Sequence, residues 1–300
     1  MNELYKDFPP GWGHVKVPTT SREAALSGLT LYAACRRRGL WAQRLAWAGI
    51  RLAGPWVIPG RRLPWSPPMD TAIWRELRRR WRDELGEFDS LAIYERAQAS
   101  RLGLATLLLA QGRPVAFVKL RLHASAELDS EARALQLMLG GRPEPFSVPQ
   151  LLGTGAFSGW HYLACAPLPP GIHHPAHSPP LKSIVVRIEE GLASLERPAG
   201  TPSHWRPMHG DLTPWNLRRA GPERLVLTDW EEAGWGPPGA DEVLYRTAEA
   251  ALWRRRAGVS DHIEAVRFWR ERVAARPQDD RDYRLTRLLS RALDRMEAQL

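Results

Sequence analysis

The sequence predicts an α+β protein: a small antiparallel sheet, a mostly helical part after it, and a helical extension in front. Three observations carry that expectation. Strand-type runs cluster between Leu91 and Leu122 as LAIYERA, LGLATLLLA and PVAFVKLRL, the last two joined by the short turn Gln111-Gly112-Arg113, a hairpin signal. Helical apolar spacing dominates before this region and returns after it. The 300 residues, at ~150 per domain, supply about two domains' worth of core. The boundaries drawn from these shifts are an extension at 1–87, a sheet-bearing part at 88–163 and a helical part at 164–300.

Composition narrows the class. With 44% hydrophobic and 25% charged residues the chain is globular rather than disordered. Cys35 and Cys165 are too few for a disulfide framework and too far apart for a clustered zinc site. No run reaches ~18 apolar residues, and the start MNELYKDFPPGWG lacks a basic segment followed by an apolar one. The expectation is a cytoplasmic protein, or one peripheral at the inner membrane surface.

The net charge of +9 invites a nucleic-acid reading, so its distribution decides. Residues 1–85 hold 15 Lys and Arg against 7 Asp and Glu, residues 86–241 hold 14 against 16, and residues 242–300 hold 13 against 10. The excess sits at the front, and no zinc-finger, RNP or basic-zipper pattern accompanies it. No specific nucleic-acid partner is expected.

The extension itself is patterned. Seven of the 14 tryptophans lie between Trp12 and Trp81, interleaved with arginine. Thr20 and Glu23 have capping-box spacing, and an apolar-rich stretch runs on to about Leu52, interrupted at Arg36-Arg37-Arg38-Gly39. Leu45, Ala48, Gly49 and Leu52 fit one helical face flanked by Arg44 and Arg51. After a Pro/Gly/Trp-rich connector at 54–68, a second helix is expected from Asp70 to Gly86, burying Ile73, Trp74, Leu77, Trp81 and Leu85. Two readings follow: a basic amphipathic element at a membrane surface or partner protein, or an extension packed on the main domain. Trp and Leu at helical spacing belong more often to a core, which favours packing.

Lys119 closes the run Val115-Ala116-Phe117-Val118 and is one of only four lysines among 42 basic residues. An ammonium suits a single phosphate oxygen better than a planar guanidinium does; the plain alternative is a strand-end lysine reaching water. Twelve residues on, 130–138 reads as a helix whose Glu131 is placed to face Lys119, with Glu127 competing for that role. HYLACAPLPPG at 161–171 reads as a strand leaving into a Pro-rich connector, and a helix follows near 184–195. His173, His174 and His177 lie among prolines with no carboxylate or cysteine close by, so a solvated loop is expected there rather than a metal site.

The chemistry is concentrated in MHGDLTPWNLRRAGPERLVLTDWEE. Asp211 and Asn216 are five apart, with Pro214 keeping the loop between them from becoming helical. Residues 217–219 and 224–228 flank a turn, so a short hairpin returns Asp229 beside Asn216 and offers a carboxylate and an amide oxygen to a hard cation such as Mg²⁺. Asp211 is then left to accept a proton from an attacking hydroxyl. A base, metal ligands and a phosphate-binding cation are what phosphoryl transfer needs.

Through His209-Gly210-Asp211-Leu212-Thr213-Pro214-Trp215-Asn216 and Thr228-Asp229-Trp230-Glu231, the chain resembles the aminoglycoside-phosphotransferase-like family of the protein-kinase-like superfamily, over roughly residues 88–256. The resemblance implies a two-lobed kinase-like fold, with ATP or GTP held between lobes near Tyr162 to Ala166 and Mg²⁺ as cofactor. It implies that Asp211 is the catalytic base, that Asn216 and Asp229 are metal ligands, and that Lys119, its helix partner Glu131, and Ser100 serve the nucleotide. His209 becomes a loop scaffold, and Asp241 a structural acid opening the next helix. The loop Gln98–Gly103 is not a G-x-G-x-x-G loop, and only about 40 residues separate hinge from catalytic loop.

The expected activity is transfer of the γ-phosphoryl group to a hydroxyl of a small molecule. Because 242–300 and 1–85 are both net basic, a sugar or glycan-type acceptor is expected over a polycation. The alternative is a nucleotide-binding module without turnover, membrane-associated through residues 1–85.

Overall fold

The computed structural model describes residues 3–11, 14–95, 103–123, 125–141, 144–221, 224–253, 262–275 and 283–299. The chain forms two compact units, Met1–Leu128 with Pro149–His174, and Asp129–Val148 with Pro175–Leu300. The α+β expectation holds: the first unit is built on an antiparallel sheet and the second is mostly helical.

The first unit contains β1 (Leu4–Phe8), β2 (Val15–Pro18), α1 (Arg22–Leu29), α2 (Arg37–Ala53), β3 (Leu63–Pro64), α3 (Thr71–Leu85), β4 (Ser90–Glu95), β5 (Gly103–Ala110) and β6 (Arg113–Leu122). After an excursion come β7 (Leu151–Phe157) and β8 (Trp160–Cys165). Together they make one eight-stranded sheet in the order β3-β1-β2-β4-β5-β6-β8-β7, every pairing antiparallel. The hairpin expected at 111–113 is present, with Ala110 opposite Arg113.

Residues 1–87 are therefore not a helical extension standing in front of the sheet. They contribute three of its strands and helices to both its faces. Side chains alternate across a strand. Leu91, Ile93, Leu104 and Leu108 share a core with Trp74, Leu77 and Trp81 of α3, while Ala92, Leu107 and Leu109 pack with Ala24 of α1. Cover on both faces explains why LGLATLLLA reads as a continuous apolar run instead of an alternating one.

α3 follows its sequence signals closely. Asp70 caps it by accepting from the Ala72 amide at 2.7 Å, and Gly86 ends it with φ +97°. Trp74, Leu77 and Trp81 are buried, with Ile73 and Leu85 at the rim. Trp65, Trp74, Trp81 and Tyr162 form a chain of edge-to-face contacts at 5.5, 5.6 and 6.0 Å. Three of the seven front-end tryptophans thus pack in or against this core.

α1 is capped one residue later than the capping-box spacing suggests: Ser21 accepts from the Ala24 amide at 3.0 Å. The larger departure is α2. It packs through Ile50, Ala46 and Trp47, and buried Gln43 donates to the carbonyls of Leu29 and Tyr32 at 3.0 and 2.9 Å. The face expected to be buried, Leu45, Ala48 and Leu52, points to solvent instead. No helix among the described residues is long and apolar enough to cross a membrane.

The second unit holds most of α4 (Ser125–Leu139), then α5 (Leu181–Gly191), α6 (Ala240–Trp253), α7 (Ile263–Ala274) and α8 (Tyr283–Glu297). β9 (His174–Pro175), β10 (Arg206–Met208), β11 (Leu217–Arg219), β12 (Leu225–Leu227) and β13 (Gly234–Gly236) are short and pair as β10-β13 and β12-β11-β9. Val243, Leu244, Val266, Trp269, Leu289 and Leu293 form the core of α6, α7 and α8, tied by the Trp269 indole donating to the Ala240 carbonyl at 2.7 Å.

Candidate active site

The loop that carries Asp211 is held by a buried carboxylate. Asp241, in the first turn of α6, accepts from the His209 amide at 2.7 Å and from the Gly210 amide at 3.1 Å. Gly210 has φ +80°, and a Cβ there would meet the Glu232 carbonyl oxygen at 2.0 Å. Only glycine fits that position. His209 is fully buried, and its two nitrogens are assigned by their partners. Nδ1 accepts from the Asp211 amide at 3.1 Å, so Nε2 carries the proton and donates to the Thr228 carbonyl at 3.1 Å. The ring lies 4.5 Å from that of Trp230. His209 thus joins the loop to the end of the following hairpin, with both nitrogens occupied.

Within the loop, the Asn216 amide nitrogen donates to the Asp211 carboxylate at 2.8 Å and to the Asp211 carbonyl at 2.9 Å. The hairpin runs as the spacing predicts, with Leu217 opposite Leu227 and the Thr228 amide donating to the Asn216 carbonyl at 3.1 Å. Asp229 follows directly, in the left-handed region at φ +68°. Aspartate tolerates that conformation better than most residues. Asp211 and Asp229 are half-buried and Asn216 is buried.

Glu131 of α4 is buried, and its carboxylate accepts from the Trp230 amide at 3.4 Å. The carboxylates of Glu131, Asp229 and Glu231 present oxygens within 4.8 Å of one another. Three acids this close repel unless a cation or protons offset them, and hard oxygen donors suit Mg²⁺ or Ca²⁺. The donor set therefore fits a divalent cation. Glu231 in this group was not foreseen as a neighbour of Glu131, because α4 and the hairpin are 100 residues apart in the chain.

Of the residues singled out from sequence, the second unit brings together Asp211, Asn216, Asp229 and Glu131. Glu127 is only half-buried at the start of α4 and has no such surroundings. Lys119 belongs to the first unit, buried on β6 opposite Ala105 and Leu163. Ser100 lies outside the described residues. The histidine-rich stretch is not the wholly solvated loop expected: His173 is buried and contacts the Pro169 carbonyl at 2.6 Å, and the exposed His177 ring lies 4.1 Å from that of Trp253, tilted by 33°.

Residues 188–284 match the model of the phosphotransferase enzyme family, a stretch that contains the Asp211 loop, the hairpin, α6 and α7. That match covers about a third of the chain. No curated protein matches its sequence. Among solved structures, the chain is similar to the choline kinase LicA from Streptococcus pneumoniae at 12% identity, covering 77% of this chain and 100% of that one, with a TM-score of 0.43. It is also similar to a putative fructosamine-3-kinase from Haemophilus somnus 129PT (10% identity, 75% and 97% covered, TM-score 0.44). A third is an aminoglycoside-3'-phosphotransferase of type VIII (16% identity, 74% and 98% covered, TM-score 0.44).

Asp241 is expected to couple stability to pH. Burial pushes its carboxyl up from 3.8 to about 6, against the two amide bonds that favour the charged form, and Glu189 adds to the rise. A carboxyl raised in the folded state contributes stability that is full below its unfolded value and lost as pH climbs through the folded one. On this account the parent loses up to about 3 kcal/mol between pH 4 and pH 7. Asp241→Asn lacks that slope. The gap in unfolding free energy between parent and variant is therefore expected to shrink as pH rises over that window, read by urea unfolding; a constant or widening gap contradicts the assignment.

Proposed function

We propose that this chain is a phosphotransferase that moves the γ-phosphoryl group of ATP or GTP, with Mg²⁺, to a hydroxyl of a neutral or anionic small molecule of sugar or glycan type. The observation that carries the reaction class is the Asn216 amide on the Asp211 carboxylate, in a loop clamped by Asp241, with Asp229 returned beside it. Asp211 takes the proton of the acceptor hydroxyl as its oxygen bonds to the γ-phosphorus and the bond to the β-phosphate oxygen breaks. Asn216 aims that carboxylate. Asp229, with Asn216, would hold Mg²⁺, and a bound Mg²⁺ offsets the phosphate charge. On the resemblance alone, Lys119 is proposed to serve the nucleotide phosphates.

The acceptor's charge is argued from balance. A polycationic acceptor needs carboxylates that compensate for its desolvation. Of the acids near the loop in sequence, Glu232 pairs with Arg272 at 3.7 Å, Glu242 pairs with Arg246 at 3.0 Å, and Glu249 is buried in α6. These three acids are thus paired or buried, which supports a neutral or anionic acceptor. Steady-state kinetics over a panel of sugars and aminoglycosides should show saturable, nucleotide-consuming turnover with a neutral or anionic hydroxyl compound. Efficient phosphorylation of an aminoglycoside at micromolar concentration would overturn the acceptor class. Tight Mg·nucleotide binding with no turnover on any acceptor would favour the nucleotide-binding module instead.

A further inference from the structure

α2 is amphipathic twice over. At ~100° per residue, Gln43, Ala46, Trp47 and Ile50 face the unit's core, and Trp41, Leu45, Ala48 and Leu52 recur at i, i+4, i+7 and i+11 on the opposite side. That outer stripe is bare: Trp41 is 61% exposed, Leu45 69% and Leu52 84%. A short turn at Pro55–Val57 folds back along the helix, with the Val57 side chain against Gly49, and adds Trp56, itself 68% exposed. The turn is anchored, because the Lys6 ammonium donates to the carbonyls of Trp56 and Ile58. Leu63 of β3 is exposed as well. Scattered surface leucines need no explanation. An ordered stripe with two tryptophans does.

The charge around the stripe has one sign. From Ala24 to Met69 the sequence contains no Asp or Glu, while Arg36, Arg37, Arg38, Arg44, Arg51, Arg61 and Arg62 fall within it. Arg44 lies 5.8 Å from the Trp41 ring and Arg62 3.6 Å from the Trp56 ring. Arginine beside indole at the edge of an apolar stripe matches the depth profile of a lipid surface. Leucine enters the acyl boundary, tryptophan sits at the headgroups, and guanidinium meets phosphate. An acidic protein partner would complement the charge. It would not call for so exposed an apolar helix face.

We propose that the outer face of α2, with the Pro55–Val57 turn, seats this phosphotransferase on an anionic lipid bilayer, the helix lying in the interface plane. The Asp211 loop is in the other unit and plays no part in the argument, so the two proposals fail separately.

The test is co-sedimentation of the full chain with vesicles of phosphatidylcholine alone, and of phosphatidylcholine carrying about one quarter phosphatidylglycerol. Binding is expected to the anionic vesicles and not to the neutral ones. Leu45→Ser/Leu52→Ser should weaken it by about tenfold or more through lost apolar contact, and Arg36→Gln/Arg37→Gln/Arg38→Gln should weaken it and flatten its salt dependence. All five positions are exposed, so unchanged unfolding midpoints are expected and separate lost docking from lost folding. Failure to sediment with anionic vesicles overturns the proposal, as does equal binding to neutral ones. Binding unchanged in Leu45→Ser/Leu52→Ser also overturns it, since adsorption by charge alone would then account for everything. Capture of an acidic protein or RNA without any vesicle binding reassigns the face and overturns it too.

Discussion

Asp211→Ala is expected to reduce turnover by about a thousandfold or more while leaving Mg·nucleotide affinity within a few-fold. A positioned general base contributes about 10²- to 10⁴-fold, and its action falls on the acceptor hydroxyl rather than on nucleotide binding. The structure adds a reason for the upper part of that range. The Asp211 backbone is fixed by the His209 Nδ1 atom and its carboxylate by the Asn216 amide, so the group is aimed before substrate arrives. Asp211→Asn separates the two contributions, since it keeps the shape but removes the proton acceptor, and it should be nearly as inactive. Activity is read as acceptor-dependent nucleotide consumption and affinity by titration calorimetry. Parent-like turnover in either variant removes Asp211 from the chemistry.

The Asp211 loop was readable because its signals are local. Five residues, a proline and a tight hairpin determine where Asn216 and Asp229 go, and no distant packing is needed to place them. α3 was readable for a similar reason: it has one apolar stripe, an aspartate at its start and a glycine at its end. α2 was not. It carries two stripes, Ala46, Trp47 and Ile50 against Trp41, Leu45 and Leu52, and periodicity alone does not say which one meets the core. Gln43 decides it, because a buried amide that satisfies the carbonyls of Leu29 and Tyr32 pins one orientation, and that is a tertiary fact. β1 and β2 were missed because Lys6, Asp7 and Lys16 interrupt their apolar pattern. The structure absorbs these charges in a Lys16–Asp7 pair at 2.8 Å and in the Lys6 contacts to the turn. Glu231 joined Glu131 and Asp229 only through folding, since nothing in the spacing links α4 to the hairpin.

Asp229→Asn should lose most of the Mg²⁺-dependent part of nucleotide affinity, about tenfold or more, and lower turnover further. The choice of variant follows from the backbone. Asp229 sits at φ +68°, where an alanine would add strain of its own, whereas asparagine accepts that conformation and removes only the charge. Its carboxylate also stands within 4.8 Å of those of Glu131 and Glu231, so deleting one charge relieves repulsion in the metal-free protein while weakening the cation's seat. Metal-free Asp229→Asn should therefore be at least as stable as the parent, which a merely structural aspartate would not predict. Asn216→Ala should weaken Mg²⁺-dependent binding less, since the ligand proposed there is neutral, yet it should also slow turnover by freeing the Asp211 carboxylate. Calorimetry with ATP and GTP, with and without Mg²⁺, alongside thermal unfolding in chelator, reads all of these. Unchanged Mg·ATP and Mg·GTP affinity in both variants would show that the cation is held elsewhere.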